Sequence, residues 1–346
     1  MNYAISASPE FRVITGKQVG HVVYNNRREV IDVIEDAYRR HFDRATVNPD
    51  SYFLKFPEAP SDRIIALPAH IQAKGESTTA ITGIKWISSF PGNLALGIPR
   101  AAAVLILNDS ATGYPTACME ASIISAARTA ASAASMARLI LGQRGTQAIR
   151  LSIVGAGLIS RYVVDFLGAC SIEIKGVRVY DLNNDYSSET VARLERCGLP
   201  DVLVSDCLEE AIRYGEIVLF GTTAATPHVR SVDWFSHNPL VLHLSLRDLS
   251  PEVILSSYNI VDDIEHCMKA QTSLHLTETA TGSRDFVTTS LPEMLSTGCS
   301  IPQDRTVIFS PFGMGILDLA LGQHVLSASK SSFAPVENFF FDLARI

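Results

Sequence analysis

The residues best suited to chemistry begin with one stretch, Leu151 to Asp181, which reads LSIVGAGLISRYVVDFLGACSIEIKGVRVYD. A short apolar run is followed by a glycine turn, an amphipathic run, a second apolar run and an acid. Gly155 and Gly157 let the chain turn sharply and bring backbone amides close to a pyrophosphate. A helix starting at Leu158 and Ile159 then points its positive N-terminal end at those phosphates. Asp181 follows the second apolar run, 24 residues after Gly157, where an acid can accept hydrogen bonds from a ribose hydroxyl. The third glycine of the fingerprint is replaced by Ser160, which is still small enough for close helix–strand packing. An ordinary βαβ unit without a ligand would share the turn, but strand, helix, strand and acid are all in register for a dinucleotide. Asp181 would repel a 2′-phosphate, and Arg178 falls on the other face of its strand by parity. The cofactor expected is NAD, held by Gly155, Gly157, Leu158, Ile159, Asp181 and, after the next strand, Thr222 and Thr223.

Three basic residues stand in or beside apolar segments upstream: Arg63 in RIIAL, Lys85 in ITGIKWI, and Arg128 in an Ala-rich run. A buried charge is costly unless paired. Each therefore needs an anion, either an internal Asp or Glu or a ligand carboxylate. Arg suits bidentate carboxylate binding, and a Lys crowded by cations has a lowered pKa, which suits proton transfer. Asp248 follows the apolar run Leu240–Leu244 and could hold a substrate amine, or serve as an acid at a helix start before Pro251. His70 is the histidine to watch, although a core or loop role fits it better. Gly313 and Gly315 either let the chain pass a ligand closely or form a plain helix entry.

The elements that must position these groups follow from periodicity. Phe11–Ile14 reads as a strand. A helix capped at Asn25 or Asn26 runs to Arg44, with Val30, Val33, Ile34, Ala37, Tyr38 and Phe42 as its apolar stripe. Strands follow at Tyr52–Phe56, Arg63–Leu67, Ile81–Ile87, Ala101–Asn108 and Thr116–Met119, giving a largely antiparallel sheet. A long helix spans Ser122–Leu141. Beyond the βαβ unit come a helix at Leu208–Tyr214, strands at Glu216–Gly221, Leu240–Leu244, Asn259–Val261 and Thr306–Phe309, and a last helix, Ile316–Ser329. The fold class predicted is α/β: a Rossmann-type nucleotide-binding domain over residues 131–315, and an α+β substrate-binding and dimerisation domain formed by both chain ends, 1–130 and 316–346.

Composition narrows the class. With 346 residues, 47% hydrophobic and 19% charged, the chain can build two domains with a sizeable core. A net charge of −7 without a basic stripe argues against nucleic acid. Six scattered cysteines form no CxxC pair, and the nine histidines show no metal spacing. No metal site is expected, and a reducing cytoplasm fits. The first residues, MNYAISASPEFRV, lack the regions of a signal peptide. Ala121–Leu141 carries Arg128 and Arg138, so it reads as a packed helix and not as a membrane span.

RIIALPAHI (63–71), ITGIKWI (81–87), MEASIISAARTAA (119–131), IVGAGLI (153–159) and SPFGMGILDLA (310–320) together resemble the ornithine cyclodeaminase/μ-crystallin family, in order over nearly the whole chain. RIIALPAHI with GIKWI is similar to its 2,3-diaminopropionate biosynthesis branch; the Trp-Ile-Ser-Ser-Phe-Pro after Lys85 departs from the cyclodeaminase pattern. The resemblance implies a homodimer built through the N-terminal sheets and an active site between two domains. It puts the substrate carboxylate on Arg63, Lys85 and Arg128 and the reacting amine near Asp248, with Lys85 or Asp248 as the base. The activity it implies is NAD-dependent oxidation of N-(2-amino-2-carboxyethyl)-L-glutamate, a small amino-acid conjugate, to L-2,3-diaminopropionate and 2-oxoglutarate, in siderophore or peptide-antibiotic precursor supply. Ornithine cyclodeamination, cyclic-imine reduction and nucleotide binding without turnover, as in a crystallin, are the alternatives. Net NADH formation separates the first of these from the dehydrogenase.

Overall fold

The computed structural model describes residues 9–75, 79–328 and 334–340. The expected end of the last helix, Ser329, lies outside them. The chain forms two compact units: Met1–Arg128 with Met314–Ile346, and Thr129–Gly313.

In the first unit the strands are β1 (Arg12–Ile14), β2 (Thr46–Val47), β3 (Tyr52–Phe56), β4 (Ala59–Ile71), β5 (Ile81–Ser89), β6 (Ala101–Asn108) and β7 (Pro115–Glu120). They form one sheet in the order β1-β7-β6-β5-β4-β2, with β3 also paired to β4. Every pairing is antiparallel except β1 with β7. The sheet is longer than its apolar runs suggest, because β4 begins at Ala59 and β5 continues to Ser89. The helix Gly315–Ala328 lies over β4, β5 and β6. Ten of its residues are buried, Asp318 among them, so it is a core helix and not a surface one. Strand β1 and residues 334–340 meet here, with Arg12 bridging to Pro335 and Phe11 stacked on Phe339 at 3.8 Å.

Two details correct the sequence expectation. A separate helix, Gly16–Asn25, precedes the helix Arg27–Phe42. Its glycines and β-branched valines hide it, but its start was written in Thr15-x-x-Gln18: Gln18 Oε1 accepts from Thr15 N at 2.9 Å. Phe42, expected in the apolar stripe, is exposed, while Val30, Ile31, Ile34, Ala37 and Tyr38 are buried.

The second unit contains β8 (Ala148–Val154), β9 (Glu173–Tyr180), β10 (Val202–Val204), β11 (Ile217–Phe220), β12 (Leu240–His243), β13 (Tyr258–Val261), β14 (Val287–Ser290) and β15 (Val307–Ser310). All pair in parallel, in the order β10-β9-β8-β11-β12-β15-β13-β14. This is the Rossmann-type sheet predicted. Its strands β11, β12 and β15 are buried throughout, as a parallel sheet covered on both faces requires. The strand order reverses between β8 and β11, which makes their carboxyl ends the switch point where such sheets bind ligands. The helix Asn184–Arg196 was not anticipated, because Ser187 and Thr190 carry two of its three buried positions and Leu194 the third. The short helices between 251 and 297, together with β14, lie outside the expected elements for a similar lack of periodicity.

The helix Ser122–Arg144 contains the division between the units. Ala126, Ala127, Ala130, Ala131, Ala133 and Ala134 are all buried, so its small side chains serve close packing. Among the described residues, no helix is long and apolar enough to cross a membrane.

Candidate functional site

The glycine turn sits at the switch point. Gly155 follows β8 with φ of 92°, a left-handed conformation that favours glycine. A Cβ there would also come within 2.7 Å of the Gly221 carbonyl, at the end of β11. The Ser160 departure has a matching adjustment. Its Oγ donates to Gly155 O at 2.6 Å, and it occupies the space that a Cβ on Gly221 would need. Lack of a side chain at 221 therefore compensates for the extra hydroxyl at 160. Gly157 caps the helix Leu158–Ala169, and a Cβ there would meet nothing nearer than Gly221 O at 3.9 Å. Leu158 is exposed at the helix start and Ile159 follows it in the first turn.

Asp181 closes this turn from the end of β9. Its Oδ2 accepts from Ala156 N at 2.8 Å, and its Oδ1 accepts from Asn183 N at 2.9 Å. A carboxylate has about four lone-pair positions, so both oxygens retain capacity for ribose hydroxyls. Arg178 is turned away, held by Asp201 at 3.2 Å and stacked over Tyr214 at 4.2 Å. The turn, the open helix start and the acid fit an adenine dinucleotide without a 2′-phosphate.

Thr222 and Asp248 meet directly, Thr222 Oγ1 donating to Asp248 Oδ1 at 2.5 Å. Thr222 Oγ1 also accepts from Ala224 N at 3.1 Å; Thr223 is exposed. Asp248 is fully buried, with Ser245 Oγ and His243 Nε2 on its other oxygen, the histidine at 3.2 Å. Burial alone would raise its pKa. The hydrogen bond and charge of His243, followed by the two hydroxyls, outweigh burial and hold the carboxyl at about 2. His243 also meets Ser310 Oγ at 3.1 Å. Asp262, after β13, accepts from Phe312 N at 2.9 Å and Gly313 N at 2.7 Å, so it fixes the turn that contains Gly313.

In the first unit, Lys85 is 1% exposed and its Nζ lies 2.7 Å from Asp318 Oδ2. Arg128 Nε reaches the other oxygen, Oδ1, at 3.3 Å. Ser125 Oγ accepts from Lys85 Nζ at 3.2 Å. Two cations thus share one fully buried carboxylate. Burial lowers the Lys85 pKa most, Asp318 pulls it up, and Arg128 lowers it again, for a net value of about 8. Arg63 is not part of this cluster. It pairs with Ser89 across β4 and β5, four positions from the Leu67–Lys85 row. His70 Nδ1 is engaged with Thr82 Oγ1 at 2.8 Å, a cross-strand contact within the sheet.

The sequence-predicted residues thus fall into three groups, the glycine turn with Asp181, Thr222 with Asp248, and Lys85 with Arg128, and Arg63 stands outside them. Sequence reasoning missed Asp318, His243 and Asp262. The signal for Asp318 was present, since an acid inside ILDLALG must be paired if that helix is buried; the same holds for His243 at the end of the apolar run LVLH. Among the described residues, no group of His, Cys, Asp and Glu could hold a metal ion.

Comparison with known proteins adds ancestry to this geometry. The model of the ornithine cyclodeaminase/mu-crystallin family matches residues 13–331. An N-((2S)-2-amino-2-carboxyethyl)-L-glutamate dehydrogenase of Staphylococcus aureus is 31% identical over 308 residues, covering 86% of this chain and 88% of that one. The structure is similar to that of Thermococcus litoralis Δ1-pyrroline-2-carboxylate reductase in complex with NADH and L-proline, with a TM-score of 0.81 at 20% identity over 92% of this chain and 98% of the other. An archaeal alanine dehydrogenase dimer with bound NAD gives a TM-score of 0.82 at 22% identity, covering 95% of this chain and all (100%) of the other.

Proposed function

The chain belongs to the ornithine cyclodeaminase/mu-crystallin family, and within it we propose that it is an NAD-dependent dehydrogenase acting on a CH–NH bond. The substrate is N-(2-amino-2-carboxyethyl)-L-glutamate, and the products are L-2,3-diaminopropionate and 2-oxoglutarate. The choice of substrate rests on the 31% identity to the Staphylococcus aureus dehydrogenase over most of both chains. The observation that carries the chemistry is Lys85, a fully buried amine with a pKa of about 8.

Bound NAD+ supplies the hydride acceptor. Gly155, Gly157 and the start of the helix at Leu158 and Ile159 take its pyrophosphate, and Asp181 takes its ribose. The secondary amine of the substrate must be neutral before hydride leaves the adjacent carbon. Lys85, neutral in an appreciable fraction of molecules near pH 8, is matched to accept that proton. Asp248, held at about 2, is a weak base at neutral pH and acts instead as a fixed negative charge toward an ammonium. The C–H electron pair leaves as hydride and an imine forms. Water adds to that carbon, and the C–N bond breaks with its electrons on nitrogen. The balance is substrate, NAD+ and water in; diaminopropionate, 2-oxoglutarate, NADH and one proton out. Arg63, Lys85 and Arg128 bind substrate carboxylates, which holds the reacting carbon in place. The working assembly in this reading is a homodimer.

Absorbance in the NADH band, followed with purified protein, NAD+ and the conjugate beside L-ornithine, tests the proposal. Stoichiometric NADH with 2-oxoglutarate from the conjugate alone is expected. Proline from ornithine without lasting NADH would make the protein a cyclodeaminase instead.

A further inference from the structure

Lys85 and Arg128 share Asp318, but a second pair of cations, at the edge of the same set of strands, has no such partner among the described residues. Arg63 in β4, Ser89 in β5 and Ala101 in β6 form one cross-strand row. Arg100 immediately precedes Ala101, and its Nη1 donates to Ser89 Oγ at 2.7 Å. Ser89 is buried and both arginines are half-buried. Arg63 Nε is buried and has no hydrogen-bond partner among the described residues. Among the described residues, no carboxylate oxygen lies within 4.0 Å of either guanidinium. The two charges act on each other: burial, then the charge of Arg63, lowers the Arg100 pKa. Two adjacent, partly desolvated guanidiniums with no carboxylate among the described residues are costly to fold, and such a cost is retained where a ligand offsets it.

Arg63, Ile65 and Leu67 alternate onto one face of β4, and Lys85 pairs with Leu67. The Arg63–Ser89 row and the Leu67–Lys85 row are therefore on the same face, about 13 Å apart along the strands for four residues of rise. Long side chains at each end close much of that distance. One carboxylate at the Lys85–Arg128 end leaves the arginine pair free for another.

We propose that Arg63 and Arg100 together seat a second substrate carboxylate, so that this sheet face selects anions whose two carboxylates are joined by a short chain. This deepens the function proposed above, and rests on it for the identity of the substrate, because the conjugate carries several carboxylates and its product 2-oxoglutarate carries two. Arg100 adds a second planar guanidinium fork and a second charge beside those of Arg63.

Calorimetric titration of the full chain with glutarate and with propionate tests it without turnover. Glutarate should bind at least tenfold more tightly than propionate, and its affinity should fall more steeply with added salt. R100Q should lose most of that tenfold preference while its propionate affinity stays put, and R100K, which keeps the charge, should recover part of it. Equal glutarate binding by wild type and R100Q would overturn the proposal, as would a parallel loss of both ligands. If R100Q does not fold, the wild-type preference and the R100K titration still decide. Failure of the conjugate assay with an intact glutarate preference would sink the substrate and leave the arginine seat standing; the reverse pattern would do the opposite.

Discussion

Lys85 and Asp318, from a central strand and the last helix of the first unit, form a fully buried ion pair at 2.7 Å with Arg128 on the second oxygen. Its main consequence is that the cationic residues expected to hold a ligand already have one internal anion between them. Asp318 makes it affordable to bury Lys85, and burial in turn lowers the lysine toward a useful pKa.

Removing that anion takes from the buried Lys85 its carboxylate partner. D318N should destabilise the protein by about 3–5 kcal/mol, the usual cost of breaking a buried pair. K85M leaves Asp318 with Arg128 and should cost less. Urea unfolding of the two variants checks the order, and equal losses would contradict it.

With Lys85 as the base, kcat/KM should rise with pH to a plateau, with a midpoint near the lysine value of about 8. K85R should lose turnover and that limb together. Stability moves the same way. A lowered amine pKa means that the unfolded chain binds the extra proton between about 8 and the ordinary value of 10.5. Relative to K85M, the wild type should therefore gain stability as pH rises through that window.

Asp248 moves stability in the same direction, but on the acid side. Its folded pKa of about 2 against an ordinary 3.8 contributes about 2 kcal/mol above pH 4, lost as pH falls toward 2. D248N should lose roughly that amount at neutral pH and show a flatter acid limb in thermal melts taken from pH 5 to pH 2.

The glycine turn makes a prediction about coupling. A G221A Cβ would collide with Ser160 Oγ, so G221A should destabilise the protein, and S160A should restore part of the loss. A double-mutant cycle should give a coupling of about 0.5–3 kcal/mol. Additive effects would show that the hydroxyl at 160 simply moves aside.

D181A should weaken NADH binding and narrow its advantage over NADPH, read as the ratio of the two dissociation constants from fluorescence titration. An unchanged ratio would remove Asp181 from the ribose site.

Much of this was legible in the chain itself. The apolar run ending at Val154, the glycines at 155 and 157 and the acid at 181 specify a βαβ nucleotide unit, because backbone conformation and strand periodicity are local properties. The strand-like runs Ile81–Ile87 and Ala101–Asn108, set apart by turn signals, likewise marked the antiparallel sheet. The helix Asn184–Arg196 was hidden because small polar residues face inward on it, and burial of Ser187 or Thr190 leaves no apolar stripe.

The sequence alone determined which residues could carry charge into the core: Arg63, Lys85, Arg128 and Asp248 all stand in or beside apolar runs. Only the tertiary structure decided how those charges are neutralised. Asp318 lies more than 200 positions from Lys85 and reaches it because the last helix packs over β4, β5 and β6. Arg63 and Arg100 meet through Ser89 because β4, β5 and β6 are in register. Pairing of buried charges depends on long-range packing, to which local periodicity is blind, and that packing sets Lys85 and Arg128 on Asp318 while leaving Arg63 and Arg100 without a carboxylate among the described residues.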